Sequence, residues 1–379
     1  MKDPRICILA ARRLPQGRFG GSLRGLGAAE LGRLAVEGLL QDPALPRPGR
    51  VLWGMARSHG NGMNPARTIA LRAGLPFSGS ATTLNMACGS SLAGLHFAMA
   101  LLEGSREEAV LVGGSEAMSD TPFLLPGLRW GYRTGHRRVP DVMHDDGLRC
   151  PLTGLLMGET IERLAAKRGV TRQDADAYAA ESHRRAASTD LSAEFVPLEA
   201  LDHDECIRAS CPAAELALLP PVFTPDGQVT AGNASALSDG AAAILLSREG
   251  VHPEIRPLAW VRGWAEAGVD PMDMGEAPVP AVRRLLEEQG LGVGDVDLWE
   301  LNEAFAAQVL VCQRQVGIPL ERLNVGGGGI SRGHPIGASG VRILVTLLTL
   351  LRARGGGLGV ATLGIGGGLG QAVLVEVPA

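Results

Sequence analysis

Twice along this chain, a turn with a chemically capable side chain runs into a helix of small and apolar residues, and then into an apolar strand that ends in glycines. The first copy passes through Cys88, a helix predicted over about 89–103, and Val110-Leu111-Val112-Gly113-Gly114. The second passes through Gly333-His334-Pro335, a helix predicted over about 339–352, and an apolar run over 360–365 into Gly366-Gly367-Gly368. An internal duplication accounts for such a pattern. Strands alternating with helices argue for an α/β architecture, so the chain is expected to fold as two similar α/β halves.

The rest of the N-terminal part fits that expectation. A strand is predicted over 6–10, a helix over 28–40 and a strand over 51–55. Asn64-Pro65 opens a further helix, with Asn suited to the cap and Pro to the first helical position. Residues 81–87 read as extended, and 109–113 as a buried strand by its apolar run. From 119 to 240 the character changes: Pro, His, Arg and Asp become frequent, and helices are predicted over 158–168 and 172–188, the second capped by Thr171 with Asp174 in its first turn. Apolar strands return over 241–246, 296–301 and 360–365. The expected division is 1–118 with 241–265 as one half, 119–240 as an inserted loop domain, and 266–379 as the other half.

At 379 residues the chain is long enough for about two or three domains. With 4% aromatic residues, its core must be built from Leu, Val, Ile and Ala. A formal net charge of −4 gives no reason to expect nucleic acid as a partner. Arg129, Arg133, Arg137 and Arg138 form a local basic cluster, readable as a phosphate site or as a solvated loop. Six scattered cysteines with no paired CxxC argue for reduced thiols and a cytoplasmic location. Cys206 and Cys211 with His203 match no common zinc spacing, so no metal is expected. The N-terminus, MKDPRICILAARR, turns polar too soon for a signal peptide. The longest apolar run, 343–351, is too short to span a bilayer.

Three segments can carry chemistry. Cys88 follows an extended stretch and precedes a helix, where the dipole and free N–H groups favour a thiolate; read alone, it is equally a buried structural cysteine. His334, held between Gly333 and Pro335, is either a fixed catalytic imidazole or a satisfied loop histidine. Asn302-Glu303-Ala304-Phe305 lies at the carboxyl end of a predicted strand, where α/β folds place their sites, although Glu303 also suits the start of a helix. A Cys, a His and an Asn at three such turns suit acyl transfer, with sulfur attacking a thioester carbonyl and the other two binding the oxyanion or activating the thiol.

These segments resemble the thiolase family, and the resemblance extends over essentially the whole chain. It is carried by residues 18–23, by Asn85-Met86-Ala87-Cys88-Gly89-Ser90-Ser91, and by Gly113-Gly114-Ser115-Glu116-Ala117-Met118-Ser119. It continues through Met157-Gly158-Glu159-Thr160, Ser182-His183, residues 229–235, Asp239-Gly240-Ala241-Ala242, Asn302 to Phe305, and residues 333–340. The fold it implies is the thiolase-like five-layered αβαβα arrangement, with a loop domain over the site, in a homodimer or homotetramer. It implies coenzyme A thioesters as substrates and no tightly bound cofactor. By the same resemblance Cys88 accepts the acyl group, His334 activates it, and Asn302 positions a water for one oxyanion hole. The N–H groups of Cys88 and Gly366 form the second hole. Ser235, Met157, Phe305, Ala231 and Leu148 are expected along the coenzyme A and acyl tunnel, with Met157 and Phe305 equally readable as core.

One departure stands out. The family's closing motif reads Cys-x-Gly-Gly-Gly, whereas here it is Gly364-Ile365-Gly366-Gly367-Gly368. Gly364 therefore takes the place of the second catalytic cysteine, the acid–base group. Such help is typically worth about 10²–10⁴ in rate, so Claisen condensation and thiolysis are expected to be slowed. The alternatives are a decarboxylative or hydrolytic enzyme using the Cys–His–Asn set alone, or a coenzyme A-binding subunit with impaired catalysis. Smaller departures are Leu156, where some members carry His, and Ala236, where Gly is usual.

Overall fold

The predicted alternation of strands and helices is realised in a computed structural model that describes residues 5–104 and 107–379. The first four residues, part of the polar start that argued against a signal peptide, lie outside the described residues. In the N-terminal half, β1 (Ile6–Arg13), β2 (Gly17–Arg18) and α1 (Ala28–Leu39) lead to β3 (Arg50–Gly54), α2 (Pro65–Arg72), β4 (Ser80–Leu84), α3 (Ser90–Gly104) and β5 (Ala109–Ala117). The inserted region holds α4 (Met157–Arg168), α5 (Arg172–Ser188) and the short α6 (Ala213–Leu216) before β6 (Ser238–Arg248) returns to the first half. The C-terminal half comprises β7 (Ala259–Gly268), α7 (Pro278–Gln289), β8 (Leu298–Leu301), α8 (Ala306–Val316), α9 (Gly329–Arg332), α10 (Ser339–Ala353), β9 (Gly357–Ile365) and β10 (Leu369–Val377).

The caps read from sequence are present. Asn64 accepts from the Arg67 N–H ahead of α2, and Thr171 and Asp174 form a reciprocal capping box on α5. β7, β10, α7 and α8 were not anticipated. In β7 the buried Ala259, Val261, Gly263 and Ala265 alternate with Trp260, Arg262, Trp264 and Glu266, a pattern with no continuous apolar run to mark it.

The strands form one mixed sheet path, β4-β3-β5-β6-β1-β7-β10-β9-β8, with β2 beside β6. The two halves repeat one register logic. β3 is parallel to β5 as β8 is to β9, while β5 is antiparallel to β6 as β9 is to β10. The halves meet where β1 pairs with β7 over Ile6–Val261 to Ile8–Ala259. The division expected at 265/266 therefore falls inside β7, whose ladder with β10 runs from Trp260 to Gly268. Backbone hydrogen bonding along the strand keeps it with β10 in one half.

The core has three parts, and together with the strands they make the expected five layers. α1 and α2 cover the outer face of the first half, α7 and α8 that of the second, and α3 and α10 lie between the halves. α10 is buried nearly all round, from Ser339 to Leu348 and again at Leu351. With the turn before it, the stretch Ile336–Ala353 is long and apolar enough to cross a membrane by composition. It is 83% buried inside the protein, so its apolar surface is already spent on the core. Arg342, which precedes the apolar run 343–351 in sequence, is buried within it.

A buried charge cluster ties the inserted region to both halves. Arg13 of β1 pairs with Glu194 and with both oxygens of Asp204, and Arg332 of α9 reaches Asp204 Oδ2 at 2.8 Å. Burial opposes the charge on Asp204, but Arg13 and Arg332 hold its carboxyl below the usual range. The mutual attraction of these charges offsets the cost of taking them out of water.

Candidate active site

The site is assembled from four turns, two from each half. The first holds Cys88, two residues ahead of α3. Ala87 just before it adopts φ +44°, a conformation that costs a non-glycine residue of order 1–3 kcal/mol. Local hydrogen bonds fix this bend. Asn85 accepts from the Ala87 N–H, and Ser90 Oγ accepts from the Met86 N–H while donating to the Ala87 carbonyl. The second turn, after β3, carries Ala56 and Arg57.

The C-terminal half supplies the other two turns. His334 precedes α10, and its backbone N–H donates to the Ala236 carbonyl. The turn after β9 carries Gly364, Gly366 and Gly367. The halves approach closely here: a Cβ on Gly114 would lie 2.2 Å from the Gly337 carbonyl oxygen. Glu116 fastens the contact. Its buried carboxylate accepts from the N–H groups of Ala56, Arg57 and Gly337 at 2.8–3.1 Å.

These turns surround a cavity of about 480 Å³. Cys88, His334, Gly364 and Gly366 line it, as do Ser235, Met157, Phe305 and Leu148. Phe305 and Met157 thus face the cavity as well as packing against the core. Asn302 is fully buried behind His334, with Nδ2 3.5 Å from both ring nitrogens and Oδ1 without a hydrogen-bond partner among the described residues. Ala231 is exposed and outside the lining. Glu303 starts no helix: its carboxylate accepts from Tyr178 and Ser182 of α5, and from Asn324 and Ile330. It holds the inserted region against the C-terminal half. The arginines of the 129–138 cluster are exposed and away from the cavity.

The resting protonation states differ from the thiolate expected above. Burial pushes the Cys88 thiol up to about 11, against the pull of the Arg57 charge and the Gly366 N–H. Desolvation outweighs the helix end, so the thiol is protonated at neutral pH. Burial, then the charges of Arg342 and Arg57, lower the His334 imidazole to about 3. Its tautomer follows from its partner. Ser339 Oγ donates to the Pro335 carbonyl at 2.9 Å, so it accepts from His334 Nδ1–H at 2.5 Å. Nε2 is left as the basic nitrogen. The N–H groups of Cys88 and Gly366 both bear on the Cys88 sulfur and favour its thiolate, but less than burial opposes it.

Arg57, Glu116, Ser339 and Gln308 were not assigned roles from the sequence. Arg57 follows the carboxyl end of β3, so the strand-end rule applied to Asn302 would have singled it out. Glu116 and Ser339 sat inside quoted motifs. Gln308 emerges only in three dimensions. A Cβ on Gly364 would lie 2.8 Å from its Nε2, so the Gln308 amide fills the space a side chain at 364 would need.

With this geometry in hand, comparison with known proteins is informative. Residues 6–250 match the family described as Thiolase, N-terminal domain, and residues 255–377 match Thiolase, C-terminal domain. An acetyl-CoA acetyltransferase of Chromobacterium violaceum is 42% identical over 98% of this chain and all of its own length. One from Pseudomonas aeruginosa is 43% identical over 97% of this chain and 98% of its own. Among solved structures, the Bacillus anthracis acetyl-CoA acetyltransferase superposes with a TM-score of 0.95 at 36% identity, covering 99% of each chain. Human mitochondrial 3-ketoacyl-CoA thiolase in complex with CoA does so at 0.95 and 35%, covering 99% of this chain and 98% of its own.

Proposed function

The chain belongs to the thiolase family, and on that footing we propose that it transfers acyl groups from coenzyme A thioesters through a covalent acyl-Cys88 intermediate. The observation that carries this reading is the meeting of Cys88 and His334, 246 positions apart in sequence, in one cavity with the Gly366 N–H on the sulfur. His334 Nε2 takes the proton as Cys88 Sγ attacks the thioester carbonyl. The N–H groups of Cys88 and Gly366 stabilise the oxyanion, and the proton passes to the departing coenzyme A thiolate. Asn302 acts beside the imidazole, where its unpaired Oδ1 accepts a hydrogen bond from a water. Ser235, Met157, Phe305 and Leu148 guide the pantetheine and acyl chain.

Gly364 bears on the second half-reaction. Condensation of two acetyl groups requires a base for the second acyl-CoA's α-proton, and glycine has none to offer. This favours a second reading in which loss of carbon dioxide from a malonyl thioester generates the carbanion. For assembly, the unpaired outer edge of β4 supports a homodimer built along that strand, and the six free cysteines suit a reducing, cytoplasmic setting.

The test is intact-protein mass spectrometry after incubation with acetyl-CoA. A single acetyl adduct is expected on the natural protein and none on Cys88→Ala. An adduct that persists in Cys88→Ala places the nucleophile elsewhere. Offering malonyl-CoA against acetyl-CoA to the acetylated protein separates the two condensation readings.

A further inference from the structure

The buried guanidinium beside the nucleophile shares its surroundings with the Glu116 carboxylate, yet two of its donor nitrogens find no acceptor among the described residues. Arg57 is only 4% exposed and lines the same cavity as Cys88. Its Nη2 reaches the Met143 carbonyl at a long 3.4 Å, while Nε and Nη1 have no hydrogen-bond partner among the described residues. The charged groups around it are otherwise engaged. Both oxygens of Glu116 are taken by backbone N–H groups. Asp146 at the rim faces His59 at 3.6 Å, and Asp145 pairs with Arg138 and Arg149. The Gly147 backbone packs directly against the guanidinium, since a Cβ there would lie 2.1 Å from Arg57 Nη2.

A folded protein rarely leaves buried guanidinium donors without acceptors, because the lost hydration is not replaced. Its planar fork is shaped for a carboxylate. We propose that Arg57 forms an anion subsite within the acyl end of the cavity, so that the acyl group placed on Cys88 is one whose chain ends in a carboxylate. This inference rests on the acyl-Cys88 reading and adds the substrate class. The step is ordinary thioester exchange. The Cys88 Sγ–acyl carbon bond forms, the coenzyme A sulfur–carbon bond breaks, and the thiol proton leaves with coenzyme A through His334. The chain-end carboxylate meets Arg57 unchanged.

Succinyl-CoA and butyryl-CoA test this, since their acyl chains have equal carbon number and differ in the terminal carboxylate. The rate of adduct formation on Cys88 is followed by intact mass. On the natural protein, succinyl labelling is expected to exceed butyryl labelling by tenfold or more. In Arg57→Leu that ratio should fall at least tenfold, and Arg57→Lys should recover part of it. An Arg57 that only fills space or tunes the thiol would slow both substrates alike, and an unchanged ratio overturns the proposal. Affinities of the two thioesters for Cys88→Ala, read by calorimetry, separate the subsite from the chemistry. A tenfold succinyl preference there supports the subsite even if no adduct forms on the natural protein, which would sink the acyl-Cys88 reading instead. Equal affinities together with equal labelling overturn it.

Discussion

The two halves of this molecule share a register logic yet contribute opposite chemistry to the site. In each, a helix of the central layer is preceded by a functional turn: Cys88 before α3 and His334 before α10. The N-terminal turn is bent at Ala87 and sits beside a charged pair of strand ends, Arg57 and Glu116. The C-terminal turn holds a neutral imidazole, an amide and a strand end reduced to glycine at 364 and 366. Equivalent positions on facing halves thus carry different groups, a thiol in one and an imidazole in the other. Neither half holds a complete site, which explains why Glu116, bridging Ala56 and Gly337 across the boundary, is buried and fully used.

The division of labour can be broken at three points. The largest effect is expected from His334→Ala, which removes the base contributed by the C-terminal half. Acylation of Cys88 should slow by about 10²–10⁴, read as the rate of coenzyme A release in a single turnover. A fall of under about tenfold would mean the thiol is activated from its own half.

Gly364→Cys addresses the second half-reaction. Restoring a thiol there should raise thiolysis of acetoacetyl-CoA by about 10², somewhat below the full benefit, because Gln308 must first move from the space beside the new Cβ. No gain would show that another group already serves as the acid–base.

The smallest effect is itself diagnostic. With the Cys88 thiol near 11 and His334 near 3, both groups are neutral across the middle of the pH range. If the neutral pair reacts by proton transfer, acylation should change by less than about threefold between about pH 5 and 9. Reaction through free thiolate would instead climb about tenfold per pH unit towards the thiol's pKa.

Much of this was legible in the chain. The repeat, the caps at Asn64 and Thr171, and the nucleophile and imidazole segments are local patterns with local physical causes. The turn chemistry around Cys88 and His334 also marked where function would sit. The less legible parts were β7, whose alternation hides its apolar face, and the end of the first half, which only strand pairing can locate.

The sequence by itself determined the two-fold α/β plan, the reactive sulfur and imidazole, and the missing thiol at 364, because these depend on residue type and near neighbours. Only the tertiary structure decided their electrostatics. Whether a thiol ionises, whether an arginine is paired, and whether an amide occupies a vacated side-chain position depend on desolvation and on groups far apart in sequence. Burial overruled the helix end at Cys88 and left two Arg57 donors without an acceptor among the described residues, and no local pattern encodes either outcome.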